Sequence, residues 1–169
     1  MAQKIGLPER FEQAWRIWND ARVDLDDADF ELSIYPHWNL KDIVGHVYSY
    51  MDLMLRHVES YRKRKKLASP RSPSYSYFNR REAERLHRVS AVQLRADMAI
   101  TFEKLSAILP SLSDEDLKKS FPSQWWNSKG HTTLRGLLRE EASHIIIHAG
   151  DIRKWKERRN NGRKGKGDR

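Results

Sequence analysis

Two histidines, His144 and His148, stand four residues apart in the stretch EEASHIIIHAGDIRKW, residues 140–155. On a helix this spacing places both imidazoles on one face, one turn apart, which is how a helix offers two nitrogen ligands to a single metal ion. At about 100° per residue, with His148 at zero, Leu137, Trp155, Glu141, Leu134, Ile152 and Ile145 all fall within roughly 60° of it, and His144 lies about 40° away. The imidazoles therefore sit in the middle of an inward, mainly apolar face. Ile146 and Ile147 point elsewhere and are expected to pack laterally, against another helix or a partner subunit.

Two ligands do not hold an ion, so a third must come from a different segment. His46 and His57 both lie on the apolar side of an earlier helical stretch. His46 is the better placed, because it sits near the start of its helix, where neighbouring loops can leave a mouth for a substrate. The plainer alternative stays open: two core histidines hydrogen-bonded to backbone or carboxylate produce the same pattern. Glu141, one turn before His144, is placed either to orient an imidazole or to act as a general base. Tyr50 is placed either to donate a proton or simply to pack. Ser143 is no part of a nucleophilic triad, since neighbours on a helix diverge by about 100°. Trp125 and Trp126, in the loop before the last helix, are candidates either to wall a ligand pocket or to cap the end of the bundle. The absence of cysteine removes thiolate ligands, disulfides and a cysteine nucleophile together.

Helical periodicity supplies the elements that must carry these groups. A first helix is predicted over 8–30, with Phe11, Trp15, Trp18 and Leu25 on one face and Pro8 in its first turn. A second is predicted over 40–65. Asn39 and Asp42 make a capping-box-like start for it, Ile43, Val47, Tyr50, Leu53 and Met54 are its core positions, and the run RKRKK lies at its end. The connector at 68–77, rich in serine and proline, reads as a loop. A third helix is predicted over 79–109, with Leu86, Val89, Leu94, Met98, Phe102, Leu105 and Ile108 inward, and Pro110 stops it. A short capped turn follows at 113–116, and a fourth long helix begins at Thr132 or Thr133 and runs to Arg158. No strand and no internal repeat is predicted. Four long amphipathic helices define an all-α four-helix bundle, and the long second connector favours up-down-down-up order.

Length, charge and composition narrow the function. A chain of 169 residues fits one domain, expected over 1–158, with 159–169 as a basic flexible tail. The net charge of +9 invites a nucleic-acid reading, but 62–66 and 156–169 each carry +5, leaving the rest at −1. Such segments are expected to be solvated, with weak nonspecific contact to polyanions as their alternative use. No apolar run reaches membrane-spanning length and the N-terminus lacks a secretory h-region, so a cytoplasmic protein with no membrane partner is expected. Phosphate-binding glycine loops, a GxSxG elbow and RNA-binding aromatic signatures do not occur.

The segment HWNLKDIVGHVYSYMD, residues 37–52, resembles the start of the second helix in the DinB/YfiT-like superfamily of four-helix bundles. SLSDEDLKKSF (111–121) followed by HTTLRGLLREEASHIIIHAGDIRKW (131–155) is similar to that superfamily's final segment, and the ending DIRKW is similar to its ClbS/DfsB-like branch. The resemblance implies an up-down-down-up bundle, often dimeric. It also implies a metal held by one histidine of the second helix and two residues of the last, at positions matching His46, His144 and His148. Three neutral imidazoles suit zinc, nickel or another first-row divalent ion and leave coordination positions open, as catalytic sites do. Such an ion lowers the pKa of a water to about 7, or activates a small-molecule thiol. The expected function is a divalent-metal-dependent hydrolase or thiol S-transferase acting on a small molecule. A metal-independent binding or resistance protein of ClbS/DfsB type is the alternative, and a nucleic-acid-associated protein the third reading.

Overall fold

Asn39 opens the helix that carries His46. Its side chain accepts the Asp42 amide at 2.8 Å, and its own amide donates to Asp42 Oδ2 at 2.9 Å, so the capping box read from the sequence is formed. In the computed structural model this helix, α2, spans Leu40–Arg64. The structure describes residues 6–69, 71–122 and 130–164, with side chains to 161. Around α2 stand α1 (Leu7–Arg22), α3 (Tyr75–Leu86), α4 (Ala91–Ile108), the short α5 (Asp114–Lys118) and α6 (Leu134–Lys164).

Four boundaries differ from those predicted, each for a local reason. The first helix ends at Arg22 rather than near residue 30, and a 3₁₀ turn covers Ala28–Glu31. At the start of that turn, Asp29 N donates to Asp26 Oδ1 at 2.9 Å and Asp26 N to Asp29 Oδ2 at 3.2 Å. Short carboxylates satisfying nearby amides in this way compete with continued helix. The third helix is two helices. Ser74 Oγ accepts the Tyr77 amide and Ser90 Oγ the Gln93 amide, at 3.2 and 3.1 Å, so a fresh N-cap interrupts the apolar periodicity at residue 90. The last helix continues past Arg158 to Lys164, which makes 159–164 helical rather than tail; Arg159 pairs with Asp29, and Lys156 Nζ lies 3.2 Å from Asp24 Oδ2. Two small antiparallel ladders replace part of the expected loop: β1 (Ser33–Tyr35) with β2 (Trp38–Asn39), and β3 (Ser120–Pro122) with β4 (His131–Thr133). They clip the segments that lead into α2 and α6.

Helix directions follow from the contacts. Arg153 donates to the Ile17 carbonyl at 3.3 Å and Lys156 to that of Ala21 at 3.4 Å, so α1 and α6 run parallel. Trp15 stacks on Phe102 with centroids 4.4 Å apart, and Arg95 reaches Asp27 at 2.5 Å, so α4 runs against α1. His46 of α2 meets His144 and His148 of α6, and Met54 lies beside a cavity with Leu137. Increasing numbers on α2 thus meet decreasing ones on α6, and the order is up-down-down-up. The parallel pair α2 and α4 needs a return crossing, which α3 and its flanking loops provide.

The core holds the predicted residues. Phe11, Trp18, Ile43, Val47, Leu53, Met98, Leu105, Ile145 and Ile152 are fully buried, while Trp15, Leu25, Val89 and Ile108 pack on its margin. Among the described residues no helix is long and apolar enough to cross a membrane.

Candidate metal centre

α2 and α6 cross so that three imidazoles meet. His46 Nε2 lies 3.0 Å from His144 Nε2, which in turn lies 3.1 Å from His148 Nε2. All three rings stand edge to face, with centroids 4.7–5.1 Å apart. His46, His144 and His148 form a cluster whose ligand atoms fall within 4.8 Å of one another. Nitrogens bonded to one ion at about 2.0–2.1 Å are separated by about 3.0 to 3.4 Å when they occupy neighbouring coordination positions. The observed separations therefore fit a shared divalent ion.

The outer nitrogens explain why the inner ones can serve as ligands. His148 Nδ1 lies 3.0 Å from Asp151 Oδ2, and His144 Nδ1 lies 3.4 Å from Glu141 Oε2, an electrostatic contact too long and poorly aligned for a good hydrogen bond. A carboxylate beside Nδ1 favours the tautomer with its proton there and leaves the Nε2 lone pair free. Lone pairs facing one another at about 3 Å repel unless a cation or a proton lies between them. Burial, and then the neighbouring His144 and His148, push the His46 pKa down to about 3. Burial, then His144, also lowers that of His148, opposed by Asp151. His46 and His148 are thus held neutral at physiological pH.

Glu141 is 4% exposed and faces the outer nitrogen of His144, a placement that suits orienting the ring. The Tyr50 ring packs edge-on against His46 and His144, and its hydroxyl donates to Asn79 Oδ1 at 2.8 Å. Burial, then Tyr75 and Glu141, raise the phenol's pKa well above its ordinary value, so it remains a donor. His57 is buried away from the cluster, its pKa pushed down to about 4 by desolvation and then by Arg56. Ser143 is exposed and donates to the Arg139 carbonyl at 3.0 Å. Trp125 and Trp126 lie outside the described residues. Sequence reasoning missed Asp151, although its position three residues after His148 mirrors that of Glu141 three residues before His144. It also missed Tyr35, whose phenol pKa is pushed up first by burial and then by the nearby Asp151 carboxylate; no helical spacing could have shown that proximity. Two cavities border His46, one of about 400 Å³ between α2, α3 and α4 and one of about 210 Å³ toward Tyr75 and Glu140.

The DinB superfamily model matches residues 10–152. The chain belongs to the DinB superfamily. Its fold is shared with an uncharacterised protein from Escherichia coli UTI89, at a TM-score of 0.75 and 13% identity over 91% of this chain and 92% of that one. The colibactin self-resistance protein ClbS, solved in complex with a dsDNA, has the same fold at a TM-score of 0.73 and 14% identity, over 89% and 93% of the two chains. The mycothiol-dependent maleylpyruvate isomerase matches at a TM-score of 0.69 and 16% identity, over 88% of this chain and 61% of that one. No curated protein matches the chain in sequence.

Proposed function

We propose that this DinB-superfamily protein is a divalent-metal-dependent enzyme, a hydrolase or thiol S-transferase acting on a small molecule, with His46, His144 and His148 as its metal ligands. The observation that carries this reading is the convergence of three Nε2 atoms, two of whose imidazoles have a carboxylate beside Nδ1. Zinc or nickel suits an all-imidazole set. A bound divalent ion would supply Lewis acidity, enough to make a water or a thiol nucleophilic near neutral pH. Asp151 and Glu141 hold the rings of His148 and His144 in place. Tyr50 covers the cluster and keeps its own proton, donating a hydrogen bond to Asn79 Oδ1. The likeness to a mycothiol-dependent isomerase supports thiol chemistry within this fold.

Elemental analysis of protein purified without a tag or added metal tests the site. About one divalent ion per chain is expected, with loss in both His144→Ala and His148→Ala. Wild type that stays metal-free after reconstitution makes these imidazoles core residues. That result would favour the second reading, a metal-independent small-molecule binding or resistance protein, which the 400 Å³ cavity and the fold shared with ClbS support. A nucleic-acid role finds less support, because the basic run at the end of α2 and the basic end of α6 lie at opposite ends of the bundle. Lys65 reaches Asp116 of α5 at one end, and Arg159 pairs with Asp29 at the other.

A further inference from the structure

The cavity of about 400 Å³ between α2, α3 and α4 includes His46 in its wall. Its apolar side comes from Trp38, Gly45, Ala83, Leu86 and Leu94. Gly45 keeps this side open next to His46: a Cβ there would stand 3.3 Å from Leu86 Cδ1. Most polar groups around the space are already engaged. Glu82 takes Arg81 at 2.8 Å and Arg85 at 2.7 Å, so two guanidinium groups compensate its charge. Lys41 Nζ donates to the His87 carbonyl at 3.1 Å, and Ser49 Oγ to that of Gly45 at 2.8 Å. Asp42 is committed to the cap of α2.

Asn79 differs from these. Its Oδ1 accepts the Tyr50 hydroxyl, which fixes the orientation of the amide. Nδ2, with two protons to donate, has no partner among the described residues. A cavity with an apolar side and an oriented, unspent amide donor next to a candidate ligand histidine has the chemistry of a specificity pocket.

We propose, building on the metal-enzyme reading above, that this cavity is the substrate chamber and takes a small, neutral, mainly apolar molecule bearing a carbonyl. The carbonyl oxygen accepts a hydrogen bond from Asn79 Nδ2, and the apolar body lies along Trp38, Leu86 and Leu94. A carboxylate is disfavoured, because Lys41 is the one Lys or Arg lining the cavity while Asp42 and Glu84 line it with no guanidinium partner among the described residues.

Two probes of one shape separate the carbonyl from the apolar body: 4-phenylbutan-2-one and butylbenzene, each titrated into the full chain and followed by NMR. In wild type both are expected to shift the Trp38 indole N–H signal, and the ketone alone the Asn79 side-chain amide. Asn79→Asp still accepts from Tyr50 but offers an acceptor in place of the donor, and should weaken the ketone about tenfold while leaving butylbenzene within about twofold. Ala83→Phe, a change at an exposed position of α3, should displace both probes. The chamber is refuted by ketone affinity unchanged in Asn79→Asp, by either probe binding normally to Ala83→Phe, or by binding that leaves Trp38 unshifted. Failure of both probes to bind wild type at saturation also refutes it. Metal content measured on the same samples keeps the two readings apart: ketone binding by a protein that holds no ion overturns the metal site and leaves the chamber standing.

Discussion

His148 and Asp151 show most directly how single side chains set this site. With its Nδ1 facing a carboxylate at 3.0 Å, His148 presents its other nitrogen inward. Asp151→Ala should therefore weaken the divalent ion about 10- to 100-fold without removing a ligand. Competition against a chromophoric chelator measures this, and an unchanged affinity would leave Asp151 no orienting role. His57 offers a different test, one of stability. Its pKa falls from 6.5 to about 4 in the folded chain because burial disfavours its charged form. Above pH 6.5 the imidazole is neutral in both states and costs nothing. As pH drops below 6.5 the unfolded chain takes up the proton first, so stability declines until the folded histidine also protonates near pH 4. The loss attributable to this group is about 3 kcal/mol over that range. Urea unfolding of wild type and His57→Leu between pH 7 and 4 should show a flatter pH dependence in the variant, and parallel curves would contradict the assignment.

At the scale of elements, the N-cap of α2 stands seven residues before His46 and holds the start of that helix. Asn39→Ala should cost about 1 kcal/mol in chemical denaturation and leave metal stoichiometry as in wild type. A loss of metal in this variant would mean that the cap positions His46 as well as stabilising α2. The long helices were legible because their apolar residues recur with the helical period, and Asn39 and Ser113 announced caps that the structure forms. The split at Ser90 was not, because Leu86, Val89 and Leu94 keep a helical spacing across the break while the interruption lies in side-chain to backbone bonding. The ladders at 33–39 and 120–133 escaped because strands of two or three residues are too short for alternation to register. The histidine pair of α6 could be read from one segment. The meeting of that pair with His46 depends on how two helices cross, which no local spacing encodes.

For the whole molecule, the candidate ion would bridge antiparallel helices whose ligands lie 98 residues apart in sequence. Binding to the folded state alone adds about 2.7 kcal/mol at a hundredfold excess over Kd, which raises the melting temperature by about 5 to 10 °C for a chain of this size. Chelation should remove that increment from wild type and change nothing in His148→Ala. Equal melting curves with and without chelator would leave the cluster with no bearing on stability. Outward residues bear on assembly: Ile147 is 62% exposed and Ile146 partly covered, so only Ile147 is free to serve a second subunit as the sequence suggested. Light scattering that shows Ile147→Lys and wild type at the same mass would exclude that surface.

The parallel packing of α1 on α6 carries a consequence for how the protein is made. Phe11 and Trp18 belong to the first helix of this bundle to leave the ribosome, yet the helix against which α1 packs is the last of the bundle to be translated. Until α6 emerges, the apolar stripe of α1 lacks that cover, and His46 waits in α2 for both of its partners. A nascent chain short of α6 has one histidine of the three and no place for an ion, so metal capture would report that the bundle has been completed.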